Sequence, residues 1–117
     1  MEAHAIQRTV RQSPRKMRLV VDLIRGRSVG EAFSILKFSK KGAAKQVSKV
    51  LLSAVSNARQ KALAAAERLD EDDLMVKTVT VDMGRPLKRM MPAAMGRGTQ
   101  VKKHTSHVRI LVATKEH

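Results

Sequence analysis

Arg85, Lys88, Arg89 and Arg97 fall in one acid-free segment, Gly84 to Gly98, and Lys102 and Lys103 follow it. A guanidinium can grip a phosphate through two parallel N–H donors and stack on a base, while an ammonium acts as a compact point charge. The chemistry open to such a run is binding a polyanion. Arg11, Arg15, Lys16 and Arg18 form a second, separate cluster near the start of the chain. Lys41, Lys45 and Lys49 sit four apart on one helix face. They read as a solvated face, where like charges cost a few tenths of a kcal/mol per pair, on the order of 0.2–0.5.

Bond-breaking chemistry finds less support. There is no Cys, so no thiolate zinc site and no cysteine nucleophile. Asp70, Glu71, Asp72 and Asp73 with His104 and His107 offer the ligand types of a metal-dependent nuclease. Adjacent carboxylates in a polar connection read more simply as a solvated turn. The two histidines lack helical HxxxH spacing, and phosphate hydrogen bonding or plain exposure suits them better. No glycine-rich phosphate loop is present. The expectation is a non-enzyme with no metal and no cofactor.

The charge balance points the same way. The chain has 117 residues and a net charge of +14, from 24 Lys+Arg against 10 Asp+Glu. Residues 3–21 hold five basic side chains and no acid, residues 32–66 seven and no acid, and residues 83–115 eight and no acid. Glu67, Asp70, Glu71, Asp72 and Asp73 are half of all the acids. A compact body with this charge repels itself unless a polyanion neutralises it, and nucleic acid gains affinity by releasing counterions. Three basic segments suggest contact on several sides. A membrane surface would favour a basic amphipathic helix with bulky aromatic anchors, and only Phe33 and Phe38 are aromatic. Both read as core residues, so recognition is expected through shape and phosphate rather than stacked bases. No apolar run approaches the ~20 residues of a membrane span. Met1-Glu2-Ala3-His4 lacks the layout of a secretory signal.

These groups must be positioned by a small α+β body. His4, Ile6, Arg8 and Val10 alternate in an edge strand over 3–10. Ser13 caps a helix with Pro14 at its first position, and Gly26 ends it. Ser28 and Glu31 form a capping box for a short helix carrying Ala32, Phe33, Ile35 and Leu36. A third helix runs from near Ser39 to about Arg68, with an apolar stripe from Ala43 to Ala58. Strands follow at Leu74–Asp82 and around Val108, Ile110 and Val112. The expected fold is three helices packed on a small antiparallel sheet with a long protruding β-hairpin. It forms one domain, 1–117, with the arm at about 82–106.

The arm follows from length. Gly84 to Gly98 has no period, and its composition alone also admits a disordered basic loop. If the flanking strands continue outward, eleven steps from Asp82 to Ala93 reach roughly 35 Å. Pro86 and Pro92 remove donors, which only edge strands tolerate. A lone two-stranded ribbon is marginal in water, so an external surface must order it.

Three stretches carry a resemblance. Ser13-Pro14-Arg15-Lys16-Met17-Arg18-Leu19-Val20-Val21-Asp22-Leu23-Ile24-Arg25-Gly26 resembles the first helix of the bacterial large-subunit ribosomal protein twenty-two family. Lys88-Arg89-Met90-Met91-Pro92-Ala93-Ala94-Met95-Gly96-Arg97 resembles that family's hairpin tip, and Lys103-His104-Thr105-Ser106-His107-Val108 the approach to its last strand. They come in the family's order and spacing and span essentially the whole chain. The resemblance implies a cytoplasmic, non-catalytic protein of the large ribosomal subunit that binds its ribosomal RNA and neighbouring ribosomal proteins and supports assembly. It implies a body near the mouth of the polypeptide exit tunnel and a hairpin tip in the tunnel wall, near the nascent polypeptide and the site of macrolide antibiotics. By motif, Leu87, Lys88, Arg89, Met90, Met91 and Pro92 would line that wall. Ala93 and Met95 stand where the family commonly has basic residues, so the resemblance implies a tip less cationic than the family's. On the residues' own chemistry, Arg85, Arg89 and Arg97 would grip RNA, with Lys88, Lys102 and Lys103 as neutralisers. Met90, Met91 and Met95 read as adaptable packing against RNA or nascent chain. The rival binding function is an architectural DNA-binding protein with a β-ribbon arm.

Overall fold

The caps and periodicities produce eight main elements. In a computed structural model, which describes residues 1–114, they are β1 (Glu2–Val10), α1 (Pro14–Ile24), α2 (Val29–Phe38), α3 (Ala43–Ala64), β2 (Leu74–Met83), β3 (Leu87–Pro92), β4 (Gly98–Lys103) and β5 (Ser106–Thr114). Ser13 Oγ accepts from the Lys16 N–H and Ser28 Oγ from the Glu31 N–H, which satisfies otherwise orphaned first-turn donors. The three-stranded antiparallel sheet runs β1-β5-β2, so β1 is an edge, as its alternation suggests.

Met17, Val20, Val21 and Ile24 of α1 and Val47, Leu51, Ala54 and Val55 of α3 meet Val76, Val79, Val108, Ile110 and Val112 of the sheet in one core. Each fully buried Val, Leu, Ile or Met contributes about 1.5–3 kcal/mol. Small side chains at Ala54, Ala58 and Ala62 let α3 lie close along β1. There Asn57 donates to the His4 carbonyl (2.8 Å) and Lys61 to the Glu2 carbonyl (2.8 Å). These bonds occupy acceptors that an edge strand would otherwise leave open to another chain.

Three expectations need correction. On β1 the buried positions are Ala3, Ala5 and Val10, while His4, Ile6 and Arg8 face outward. A bulge between Gln7 and Val10 changes the phase, with Thr9 at φ 57°. The third helix starts at Ala43 and stops at Ala64, not at Ser39 and Arg68. Two hydrogen bonds close its end: the Ala66 N–H donates to the Leu63 carbonyl and the Glu67 N–H to the Ala62 carbonyl, with Ala66 at φ 55°. Phe38 is not core. It lies two positions, about 200°, beyond Leu36 on α2 and is 79% exposed, whereas Phe33 packs against the core. The segment after β2 is a paired ribbon, the hairpin expected from the chain.

A left-handed residue with a Cβ pays roughly 1–2 kcal/mol. Replacing Ala66 by Gly is therefore expected to raise stability by about 1 kcal/mol, less the added entropy of the unfolded chain. Denaturant unfolding measures this; a midpoint that falls would contradict the strain at Ala66.

Candidate nucleic-acid interface

The ribbon grows out of the sheet's central pair. Past an irregularity between Val76 and Thr78, β2 and β5 pair without a break from Thr78 opposite Leu111 to Met83 opposite Ser106. Gly84 then donates to the Thr105 carbonyl (2.9 Å), and Thr105 Oγ1 donates to the Arg85 carbonyl (2.8 Å). Pairing resumes at Leu87 opposite Lys103 and continues to Pro92 opposite Gly98. The Ala93 N–H closes the turn on the Arg97 carbonyl (2.6 Å), with Met95 and Gly96 at positive φ. The molecule measures 66 × 27 × 18 Å, as an arm standing clear of a small body requires.

The root is tightly built. Thr105 is fully buried. The Thr9 N–H, turned by its strained φ, donates to His107 Nδ1 (3.0 Å), so β1 grips the strand that leaves the arm. Gly84 has no room for a side chain: a Cβ there would stand 2.5 Å from Thr105 Oγ1 and 3.2 Å from His107 Cε1.

Beyond the root almost every side chain is exposed. Residues paired directly across an antiparallel ribbon share a face. Leu87 with Lys103 and Arg89 with Val101 therefore face one way, and Lys88 with Lys102 the other. Cations point to both sides, which suits a surrounding mould rather than a flat contact. Lys88 opposite Lys102 is a like-charge pair that destabilises the isolated ribbon. The expected wall residues Leu87–Pro92 make up β3 and run along the arm, while its extremity is Ala93–Arg97, with Met95 98% exposed. Arg85 sits at the root and Arg97 at the turn. Arg11, Arg15 and Lys16 are exposed around the start of α1; Arg18 is exposed too, but gives one donor to the Val81 carbonyl (3.0 Å) and ties α1 to β2.

The acids are used elsewhere. Among the described residues the ion pairs are Arg25–Asp22, Arg27–Glu31, Arg59–Glu71 and Lys77–Glu2. None includes any of the ten cations expected to bind. Hydrogen bonding from Arg59 holds the Glu71 carboxyl below its ordinary range, and Lys77 does the same for Glu2. Asp70 accepts from the Asp72 N–H in the turn before β2. His107 pairs with Asp82, about 30 Å along the strand from Asp73. The imagined nuclease ligands therefore do not converge. Sequence reasoning also missed the root made by Gly84, Thr105 and His107. A steric fit between distant residues has no signal in local composition.

Comparison with known proteins places these features. Residues 5–113 match the family described as Ribosomal protein L22p/L17e. The chain is similar to "Large ribosomal subunit protein uL22" of Bifidobacterium animalis subsp. lactis, 51% identical over 116 residues, covering 99% of this chain and 98% of the relative. The protein of the same name from Geobacter metallireducens is 51% identical over 115 residues, covering 98% and 100%, and that of Desulfitobacterium hafniense strain Y51 is 50% identical over 115 residues, covering 98% and 96%.

Proposed function

We propose a function that starts from membership: the chain belongs to the Ribosomal protein L22p/L17e family, whose members are structural, non-enzymatic constituents of the large ribosomal subunit. It is a large-subunit protein that binds ribosomal RNA beside other ribosomal proteins, in the cytoplasm of bacteria.

Within that role the arm, about residues 82–106 of the 1–117 domain, enters a cleft of folded large-subunit RNA. Arg85, Arg89 and Arg97 grip phosphates, and Lys88, Lys102 and Lys103 neutralise the charge around them. Arg11, Arg15, Lys16 and Arg18 hold a second RNA segment against the body. The far half of the arm, with Leu87, Lys88, Arg89, Met90, Met91 and Pro92, reaches the wall of the exit tunnel. There it meets the nascent polypeptide and lies near the macrolide site. The single observation that carries this reading is the arm itself: a two-stranded ribbon with cations on both faces and no carboxylate from Met83 onward to Thr114. Such a ribbon gains order from polyanion packed around it.

Photocrosslinking from position 91 in assembled large subunits tests this. The expected products are ribosomal RNA and, in translating particles, nascent chain. Crosslinks only to this chain's own body would refute the placement. A preference of the free protein for duplex DNA over structured ribosomal RNA at matched salt would favour the architectural DNA-binding reading instead.

A further inference from the structure

The body carries a feature that the arm does not explain. α2 and α3 meet at a groove of about 570 Å³ whose rim holds Lys37, Lys40, Lys41, Lys45 and Lys49, with no acid among its lining residues. Lys41 also lines a neighbouring hollow of about 330 Å³ together with Lys16 of α1, and Lys49 one of about 210 Å³ against β1. The three hollows thus join through shared lysines into one track. None of the five lysines is in an ion pair among the described residues. Lys45 and Lys49 of α3 lie about 6 Å apart along the helix axis, close to the spacing of successive phosphates on a strand, and Lys41 stands just before the helix start at Ala43.

Beside this track stands Phe38, the last residue of α2, flanked in sequence by the groove residues Lys37 and Ser39. Its ring is 79% exposed, and the Lys37 ammonium lies 5.8 Å from its centre. The contact ties the aromatic side chain to Lys37, which lines the groove. An isolated exposed apolar residue needs no explanation. An exposed aromatic ring with one ammonium group at its face, and a lysine-lined groove that begins at its chain neighbours Lys37 and Ser39, matches one ligand chemistry, a base unstacked from its neighbours with phosphates on either side.

We propose that Phe38 and the lysine groove form a nucleotide-binding site on the body, where an unpaired base of ribosomal RNA stacks on the Phe38 ring while its flanking phosphates lie along Lys37, Lys41 and Lys45. The inference rests on the ribosomal RNA-binding role above and adds base stacking to it. It also replaces the solvated face expected for the lysine row.

The test uses the full chain and structured large-subunit RNA over a range of salt. Phe38→Leu is expected to weaken binding about fivefold to a hundredfold, with the salt slope unchanged, because a stack carries no counterion release. Phe38→Tyr should bind as the parent does. Lys41→Gln with Lys45→Gln should flatten the salt slope by about 0.7 per lysine removed, as for single-strand phosphates. Melting temperatures should be alike, since Phe38 is outside the core. Assembled particles carrying a photoreactive phenylalanine at position 38, or separately at position 91, complete the test. An RNA base crosslinked from 38 supports the site. Protein-only crosslinks from 38, or parent-like binding by Phe38→Leu, overturn it while RNA crosslinks from 91 leave the arm reading standing. RNA crosslinks from neither position would overturn both.

Discussion

Replacing Arg85, Lys88, Arg89, Arg97, Lys102 and Lys103 together by Gln is expected to flatten the dependence of RNA affinity on salt by about four to five log units per log unit of salt. Each phosphate contact adds about 0.7–0.9 to that slope through counterion release. All six side chains are exposed, and none is in an ion pair among the described residues, so nothing in the fold compensates for their removal. The body should keep its helices, because the core draws only on α1, α2, α3 and the three-stranded sheet. Binding titrations at several salt concentrations give the slope directly, and circular dichroism checks the fold. A slope that stays at the parent value would mean that the arm's charges face solvent in the complex.

Gly84→Ala is expected to destabilise the arm root by roughly 1–3 kcal/mol, the usual range for overpacking a closed site. The added methyl would stand 2.5 Å from Thr105 Oγ1, and Thr105 cannot retreat. It is fully buried, and its hydroxyl is bonded to the Arg85 carbonyl. Gly98→Ala is the control within the same arm. Its Cβ would come 2.9 Å from Met90 Cε, the free end of a flexible side chain that can swing away. That variant should be close to neutral, since lost unfolded-state entropy offsets the small displacement. Denaturant unfolding of the two variants side by side separates them; equal midpoints would show that the root is looser than its contacts imply.

What could be read from the chain, and what could not, follows the range of the interactions. Ser13, Pro14, Ser28 and Glu31 announce their helices because a cap acts within three residues. The reach of the arm followed from counting strand residues, and the ribbon realises it. Its pairing is non-local, so composition left a disordered loop equally open. The alternation of His4, Ile6, Arg8 and Val10 breaks on β1 because the bulge at Thr9, which answers to His107, 98 residues away, puts Val10 on the buried face of Ala3 and Ala5. The end of α3 was placed too late because Ala64, Ala65 and Ala66 are good helix formers with nothing to bury. Phe38 was assigned to the core by residue type, though its angular position on α2 turns it outward. Lys41, Lys45 and Lys49 read as a merely solvated row because the groove exists only once α2 lies beside α3.

Amide hydrogen exchange across residues 84–103, in the free protein and again in the assembled large subunit, tests the central claim most directly. An arm shaped by the RNA around it should exchange fast when free, while β2 and β5 are protected. In the particle, protection should appear along β3 and β4. Slow exchange throughout β3 and β4 in the free protein, or no gain of protection on assembly, would contradict it.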